Sequence, residues 1–364
     1  YYTSGLIELA AIDLYQTFKF ERVIALREFD LIRAARIRDY LSLPGQKPKA
    51  VELFRDKFLM KNRAKKIGLK VPKFAKIDNT LDLLKFIKKV NYPIIIKPRK
   101  KAGNLGFKVL KNKKDFLQFI IEISGISDIE EPFDMLAEEY IEASMAHVDG
   151  LIHHGKIITI NASEYLGYHA GIDFSPEKYF SMQYAGSLTI PTSSVKARKL
   201  FNYTRTLLNE FDNVNTYIFH AELWMDENGE NILLNEIAAR SGGSWVYKLL
   251  GALFIPSLEQ CLFKYLCTED ETVFSLLPKH SKYCGFSGRI PLMPGTIISL
   301  PTHLSLSKSE LYECEVKPGD KIKQPTSYYD HMGFIVKLGK TPAECLVRFK
   351  TTLAEFRNKI RMKH

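Results

Sequence analysis

The sequence is poor in cysteine, and none of what it has stands at metal-binding spacing. Cys261, Cys267, Cys284, Cys314 and Cys345 are an odd five in 364 residues, with no Cys-x-x-Cys pair among them. That excludes a secreted disulfide framework and a zinc ribbon, and it leads to an expectation of reduced thiols in a cytoplasmic protein. Long hydrophobic runs are also missing. The longest charge-free stretch, Ile290 to Ser307, is broken by Pro291, Pro294 and Pro301 and is rich in Ser and Thr, so it is no membrane helix. No signal peptide is expected from the residues at the start of the sequence, which opens at Tyr1 and reads as starting inside a domain. There is no internal repeat of about 20–50 residues and no low-complexity segment. Neither a Gly-x-x-x-x-Gly-Lys-(Ser/Thr) nor a Gly-x-Gly-x-x-Gly is present, which excludes a P-loop and a Rossmann dinucleotide fingerprint.

What is present is an ordinary globular composition, 46% hydrophobic and 26% charged, in a chain long enough for about two to three domains. The formal net charge is +11. Much of the excess is local: Lys97, Arg99, Lys100, Lys101, Lys108, Lys111, Lys113 and Lys114 follow one another with no acid between them. Such a run suits nucleic acid, a membrane surface, nucleotide phosphates or an acidic protein. No zinc-finger spacing, RNP-like motif or arginine-rich tail accompanies it, so no nucleic-acid partner is expected.

Periodicity and punctuation predict an α+β chain with several sub-lobes. Residues 1–45 read helix–strand–helix, the strand being Val23–Leu26, with Leu43-Pro44-Gly45 as a linker. Asp56 caps a helix to Ile67 that ends at Gly68, and Thr80 opens another to about Val90. A buried strand Ile94–Lys97, a loop Pro98–Gly106, a strand Phe107–Leu110 and a helix Lys113–Ile123 follow. A β-rich block runs from Asp134 to Tyr168 with a turn at His154-Gly155. After the helix Val195–Phe211, strands Thr216–Met225 and Asn231–Ile237 form a hairpin. A helix spans Pro256–Cys267, and short strands beyond Tyr283 are closed by the helix Pro342–Ile360.

The hairpin carries the strongest chemical pattern. Alternation puts Ile218, His220, Glu222 and Trp224 on one face of the first strand, and Ile232, Leu234 and Glu236 on one face of the second. A turn centred on Gly229 sets Glu222 opposite Glu236. Carboxylates facing across a ladder repel each other, and a divalent cation with a taste for oxygen ligands, such as Mg²⁺, turns that cost into a site. Just beyond stand Arg240, suited to a bidentate grip on a carboxylate or phosphoryl group, and Ser241-Gly242-Gly243, where backbone amides can approach an anion. Lys97 leaves a buried strand for a basic loop containing Gly103 and Gly106, a flap suited to phosphates. Lys57 sits at the start of the capped helix. Glu138-Glu139-Tyr140-Ile141 ends a strand where backbone groups can meet an adenine edge, and Asp149 follows within reach of a ribose hydroxyl or a substrate amine. His153-His154 reads as a plain turn.

Taken in order, these segments resemble the ATP-grasp superfamily over about Phe54 to Leu250. The likeness is greatest to its carboxylate–amine ligases of the amino-acid ligase type, with their Asp-Lys-x-x-x-(Lys/Arg) and Glu-Ile-x-(Ala/Gly)-Arg-x-x-Gly-Gly patterns. Here the glycine pair comes one residue earlier after Arg240. The resemblance implies an ATP-grasp fold of two α+β lobes sandwiching ATP. Residues 1–53 are then the end of an α/β pre-ATP-grasp domain, 54–282 the ATP-grasp domain with its nucleotide lobe at about 70–141, and 283–364 a small closing lobe. It implies that Lys57 and Lys97 hold the phosphates under the flap with Gly103 and Gly106, and that Glu138, Glu139, Tyr140 and Ile141 take adenine beside Asp149. By the same likeness Glu222 and Glu236 hold Mg²⁺ or Mn²⁺, and Arg240 steadies an acyl phosphate. His220, Ser241, Gly242 and Gly243 are expected near the substrate. Many members carry Asn two residues after the second Glu. Here that residue is Ala238, so a two-metal shell needs a ligand from water or another residue. The implied activity joins a carboxylate, such as an amino acid, to an amine at the expense of ATP. The alternatives are acyl transfer to an acidic carrier protein, which suits the net charge, and a nucleotide-binding protein without catalysis. A homodimer is compatible with such folds.

Overall fold

The computed structural model describes residues 4–102, 105–124, 133–167, 176–182, 184–226, 229–243, 245–327 and 330–363. The N-terminal stretch holds α1 (Leu6–Phe18), α2 (Leu31–Tyr40) and α3 (Pro48–Arg55). The expected strand Val23–Leu26 does not form. The segment is extended but pairs with no strand among the described residues. Backbone groups need partners, and the Val23 carbonyl accepts instead from Arg38 Nη1 at 2.8 Å.

Asp56 opens α4 (Lys57–Lys66), its carboxylate accepting from the amides of Phe58 (3.0 Å) and Leu59 (3.3 Å). These are donors that a helix start leaves unsatisfied. A four-stranded antiparallel sheet follows, built from β1 (Phe74–Ile77), β2 (Ile94–Pro98), β3 (Lys108–Leu110) and β4 (Met135–Glu139) in the order β1-β4-β2-β3, with α5 (Thr80–Val90) between β1 and β2 and α6 (Lys113–Ser124) between β3 and β4. Leu83, Phe86 and Ile87 form the apolar stripe of α5 and pack with Ile77, Ile94, Ile96 and Leu110.

The larger layer is an eight-stranded antiparallel sheet. Its first members are β5 (Ser144–His153) and β6 (Lys156–Leu166). Then come a short α7 (Pro176–Ser181), β7 (Gly186–Thr189), α8 (Val195–Phe211), β8 (Thr216–Met225) and β9 (Leu233–Ala238). Two helices, α9 (Trp245–Leu253) and α10 (Leu258–Thr268), lead to β10 (Cys284–Ile290), β11 (Gly295–Ser299), β12 (Leu311–Cys314), β13 (Lys321–Ile322), β14 (Gly333–Gly339), α11 (Pro342–Lys359) and β15 (Arg361–Lys363). The sheet order is β12-β14-β10-β7-β6-β5-β8-β9, and β13-β11-β15 form a separate small sheet. The expected boundary at 283 therefore runs through one sheet and is corrected. Every residue of β10 and β14 is buried, so their backbone groups need neighbours on both edges, and β7 and β12 supply them.

On β8, Tyr217, Phe219, Ala221, Leu223 and Met225 join the core with Leu200, Leu207 and Leu208 of α8. Ile218, His220, Glu222 and Trp224 take the other face by alternation. No single helix among the described residues is long and apolar enough to cross a membrane.

Candidate active site

Glu222 and Glu236 stand opposite each other across β8 and β9, as the hairpin pattern predicts. The route to that pairing differs from the expected one. Nearer the turn the register is Leu223 to Leu234, so Asn235 is an extra residue, a β-bulge. One inserted residue reverses the alternation beyond it. Ile232 and Leu234 are consequently in the core while Glu236 faces the other way, which corrects the expectation that the three share a face.

Glu222 accepts from Tyr165 Oη (3.0 Å) through one oxygen and from Asn235 Nδ2 (2.9 Å) through the other. Burial alone raises both carboxyls. Hydrogen bonds from His220 and Tyr165 and the charge of His220 together outweigh it at Glu222, and the charges of Lys57, Lys97 and Arg240 outweigh it at Glu236, so both lie below the usual carboxylate range. Lys57 Nζ is 3.3 Å from Glu236 and donates to the Lys101 carbonyl at 2.7 Å. Lys97 Nζ is 2.8 Å from Glu138 and donates to Asn235 Oδ1 at 3.3 Å. Arg240 pairs with Glu28 and donates to the Ser241 carbonyl at 2.7 Å. Lys57, Lys97, Glu222, Glu236 and Arg240 line one cleft of about 340 Å³, whose apolar wall includes Ile95, Phe107, Met145 and Trp224. Two carboxylates offer the all-oxygen donor set that Mg²⁺ takes, and the three cations beside them are suited to neutralise phosphates. The residues fit a Mg²⁺-bound nucleotide.

His220 also lines this cleft. Burial disfavours its charge, but Asp149 Oδ1 at 2.7 Å and Glu222 at 3.4 Å overcome that and raise the imidazole to about 9. Asp149 itself is fully buried, with one oxygen on His220 and the other 2.5 Å from His147 Nδ1. Its expected place beside the ribose is corrected: it orients His220 from beneath the cleft. Of the residues expected at the adenine hinge, none of Glu138, Glu139, Tyr140 and Ile141 lines this cleft. Glu138 is buried between Lys61 (2.9 Å) and Lys97 (2.8 Å). The Glu139 amide donates to the Lys73 carbonyl, and its carboxylate accepts from the Lys73 amide.

Gly103 lies outside the described residues. Gly106 has φ +76°, and a Cβ there would come within 2.9 Å of Pro98 Cγ, so only glycine lets the loop close on the end of β2. Gly242 packs more closely still: its Cβ position is nearest to Val246 Cγ1 and lies 2.9 Å from His220 Nδ1. Ser241 donates to Glu259 and faces a neighbouring cavity of about 680 Å³, which meets the cleft at Arg240 and Gly243. The basic run is divided: Lys97 and Lys101 line the cleft, Arg99 pairs with Asp56 and Asp134, and Lys108 with Glu122.

Three contributors escape sequence reasoning. Asn235 arrives by the bulge. Glu28 is distant in sequence and pairs with both Arg55 and Arg240. Lys61, with no exposed surface, donates to the carbonyls of Leu234 and Asn235, each at 2.7 Å. Only Lys61 had a signal, its place in the Asp-Lys-x-x-x-Lys pattern.

Residues 56–150 match the family described as carbamoyl-phosphate synthase L chain, ATP binding domain. The chain is 21% identical over 248 residues to the L-arginine-specific L-amino acid ligase of Bacillus subtilis, covering 68% of this chain and 58% of that relative's length. Among solved structures, the L-amino acid ligase from Bacillus licheniformis superposes with a TM-score of 0.72 at 17% identity, over 96% of this chain and 82% of that one. The biotin carboxylase domain of the Hydrogenobacter thermophilus 2-oxoglutarate carboxylase, solved with MgADP and bicarbonate, gives 0.64 at 14% identity, over 98% and 78%. The chain thus has an ATP-grasp fold, and its residues 56–150 are similar to an ATP-binding domain of that kind.

Proposed function

We propose that the chain is an ATP- and Mg²⁺-dependent ligase that activates a carboxylate, such as that of an amino acid, and joins it to an amine. The observation that carries this reading is the Glu222–Glu236 pair with Lys57, Lys97 and Arg240 around the same cleft. The relatives named as amino acid ligases support the substrate class.

In this mechanism a carboxylate oxygen attacks the γ-phosphorus of ATP and ADP leaves. The amine then attacks the acyl carbon, phosphate leaves, and the amine gives up a proton, so the products are an amide, ADP and phosphate. Lys57 and Lys97 neutralise the phosphates as charge moves toward ADP, and Arg240 grips the acyl phosphate with its planar fork. Glu222 and Glu236 would hold Mg²⁺, which would neutralise charge on the phosphates. Tyr165 and Asn235 fix Glu222, and His220 adds a positive charge at its edge. Ile95, Met145 and Trp224 offer a planar base an apolar slot.

The test is ADP release from MgATP with hydroxylamine across a panel of free amino acids. ADP plus a hydroxamate with one donor is the expected result. AMP and pyrophosphate instead would overturn the acyl-phosphate route.

A further inference from the structure

The bulge in β9 does more than bring Glu236 opposite Glu222. It adds a side chain beside them: Asn235 has its Nδ2 on Glu222 and its Oδ1 accepting from Lys97, both of which line the cleft. The residue two places after Glu236 brings no donor. Ala238 is buried opposite His220, and a methyl group cannot bind a cation. The face thus lacks an amide at one position and gains one at another.

The bulge is also held in place. Lys61 lies in α4 with no exposed surface, and its ammonium donates at 2.7 Å to the carbonyls of the inserted Asn235 and of Leu234 just before it. Its charge is balanced by buried Glu138 at 2.9 Å, which also holds Lys97. Backbone carbonyls freed from the ladder by a bulge need donors, and one lysine serves both. Slippage of β9 by a residue would break these bonds together and bury Glu236 in the core.

The geometry points to Asn235 as the neutral oxygen donor of the cation site, placed there by the Lys61-locked bulge in the role that Ala238 cannot fill. The inference rests on the ligase reading for the identity of the cation, Mg²⁺ carried by a nucleotide. With Lys97 engaged by phosphates, the Asn235 amide oxygen would be free to join Glu222 and Glu236 in holding the ion. An amide oxygen is an accepted partner of Mg²⁺ and adds no charge to a site that already holds two carboxylates.

The test is binding of ADP to the full chain by calorimetry, once in excess MgCl₂ and once in excess EDTA. Wild type is expected to bind ADP more tightly with Mg²⁺. Asn235→Ala should lose about tenfold of the affinity in MgCl₂ and leave the affinity in EDTA within about twofold. Asn235→Asp keeps an oxygen donor, so it should retain binding in MgCl₂ and weaken it in EDTA, where the added negative charge meets the phosphates bare. Asn235 is partly exposed, so both variants are expected to fold, which a matching thermal melt checks. An Asn235→Ala chain that binds MgADP as wild type does, or that loses equally in both conditions, overturns the assignment while leaving the ligase reading intact. A wild-type chain indifferent to Mg²⁺ overturns both.

Discussion

Arg240 shows how a single side chain joins distant parts of the site. Its Nε meets Glu28, its Nη1 meets the Ser241 carbonyl, and it opens onto both cavities. A guanidinium can serve these directions in one plane, whereas an ammonium is a point charge. Arg240→Lys is expected to lower the rate of hydroxamate formation about a hundredfold while ADP affinity changes little, because the grip is needed mainly as charge builds on the transferred group. Steady-state rates and calorimetry on the same sample separate the two effects. The cysteines give a second prediction at this scale. Burial pushes the Cys345 thiol up to about 12, whereas Cys267 is exposed. Only the thiolate reacts quickly, so a disulfide reagent at mildly alkaline pH should modify Cys267 in the native protein and reach Cys345 only after denaturation.

Among elements, α4 carries the most. It presents Lys57 to Glu236 and Lys61 to the bulge from its first two turns, and both depend on how Asp56 starts the helix. The same carboxylate pairs with Arg99 just after β2, tying the helix to the strand that carries Lys97. Asp56→Ala should cost about 1–2 kcal/mol in urea unfolding, from the lost cap and the lost pair together. Asp56→Asn should recover most of the cap and less of the pairing. Nucleotide affinity should fall in parallel, since Lys57 is the first helical residue.

For the molecule as a whole, the C-terminal stretch completes the large sheet, and a buried ion cluster holds it. Glu310 pairs with buried Lys337 Nζ at 2.6 Å and with Arg348 at 2.8 Å, and it accepts from the Leu338 amide on β14. Burial raises its carboxyl, but Lys337 and the amides of Ser307 and Leu338 lower it by more. A carboxyl lowered by folding adds stability that is complete above its unfolded value, near 4.5. That contribution is lost as pH falls toward the folded value. Thermal melts should therefore show acid destabilisation beginning below about pH 4.5, with a shallower acid limb in Glu310→Gln. At neutral pH that variant leaves Lys337 buried without its carboxylate and should lose about 3 kcal/mol.

Local pattern and chemistry carried far in this chain. Capping at Asp56, the buried run before Lys97 and the strand alternation through His220, Glu222 and Trp224 were legible because each depends on neighbours in sequence. The order of those segments was enough for the fold family. Faces and registers beyond a single strand were not legible in the same way. The bulge at Asn235 follows from Lys61 in a helix more than 170 residues away, and alternation by itself put Leu234 and Glu236 together. Asp149 and Glu138 carry the right chemistry for ligand binding, yet burial beside His147, His220, Lys61 and Lys97 gives them supporting work instead. The strand expected at Val23–Leu26 has an apolar sequence but no partner strand among the described residues. Whether a side chain meets solvent, a ligand or a buried counter-charge depends on long-range packing, and so the tertiary structure alone decided it.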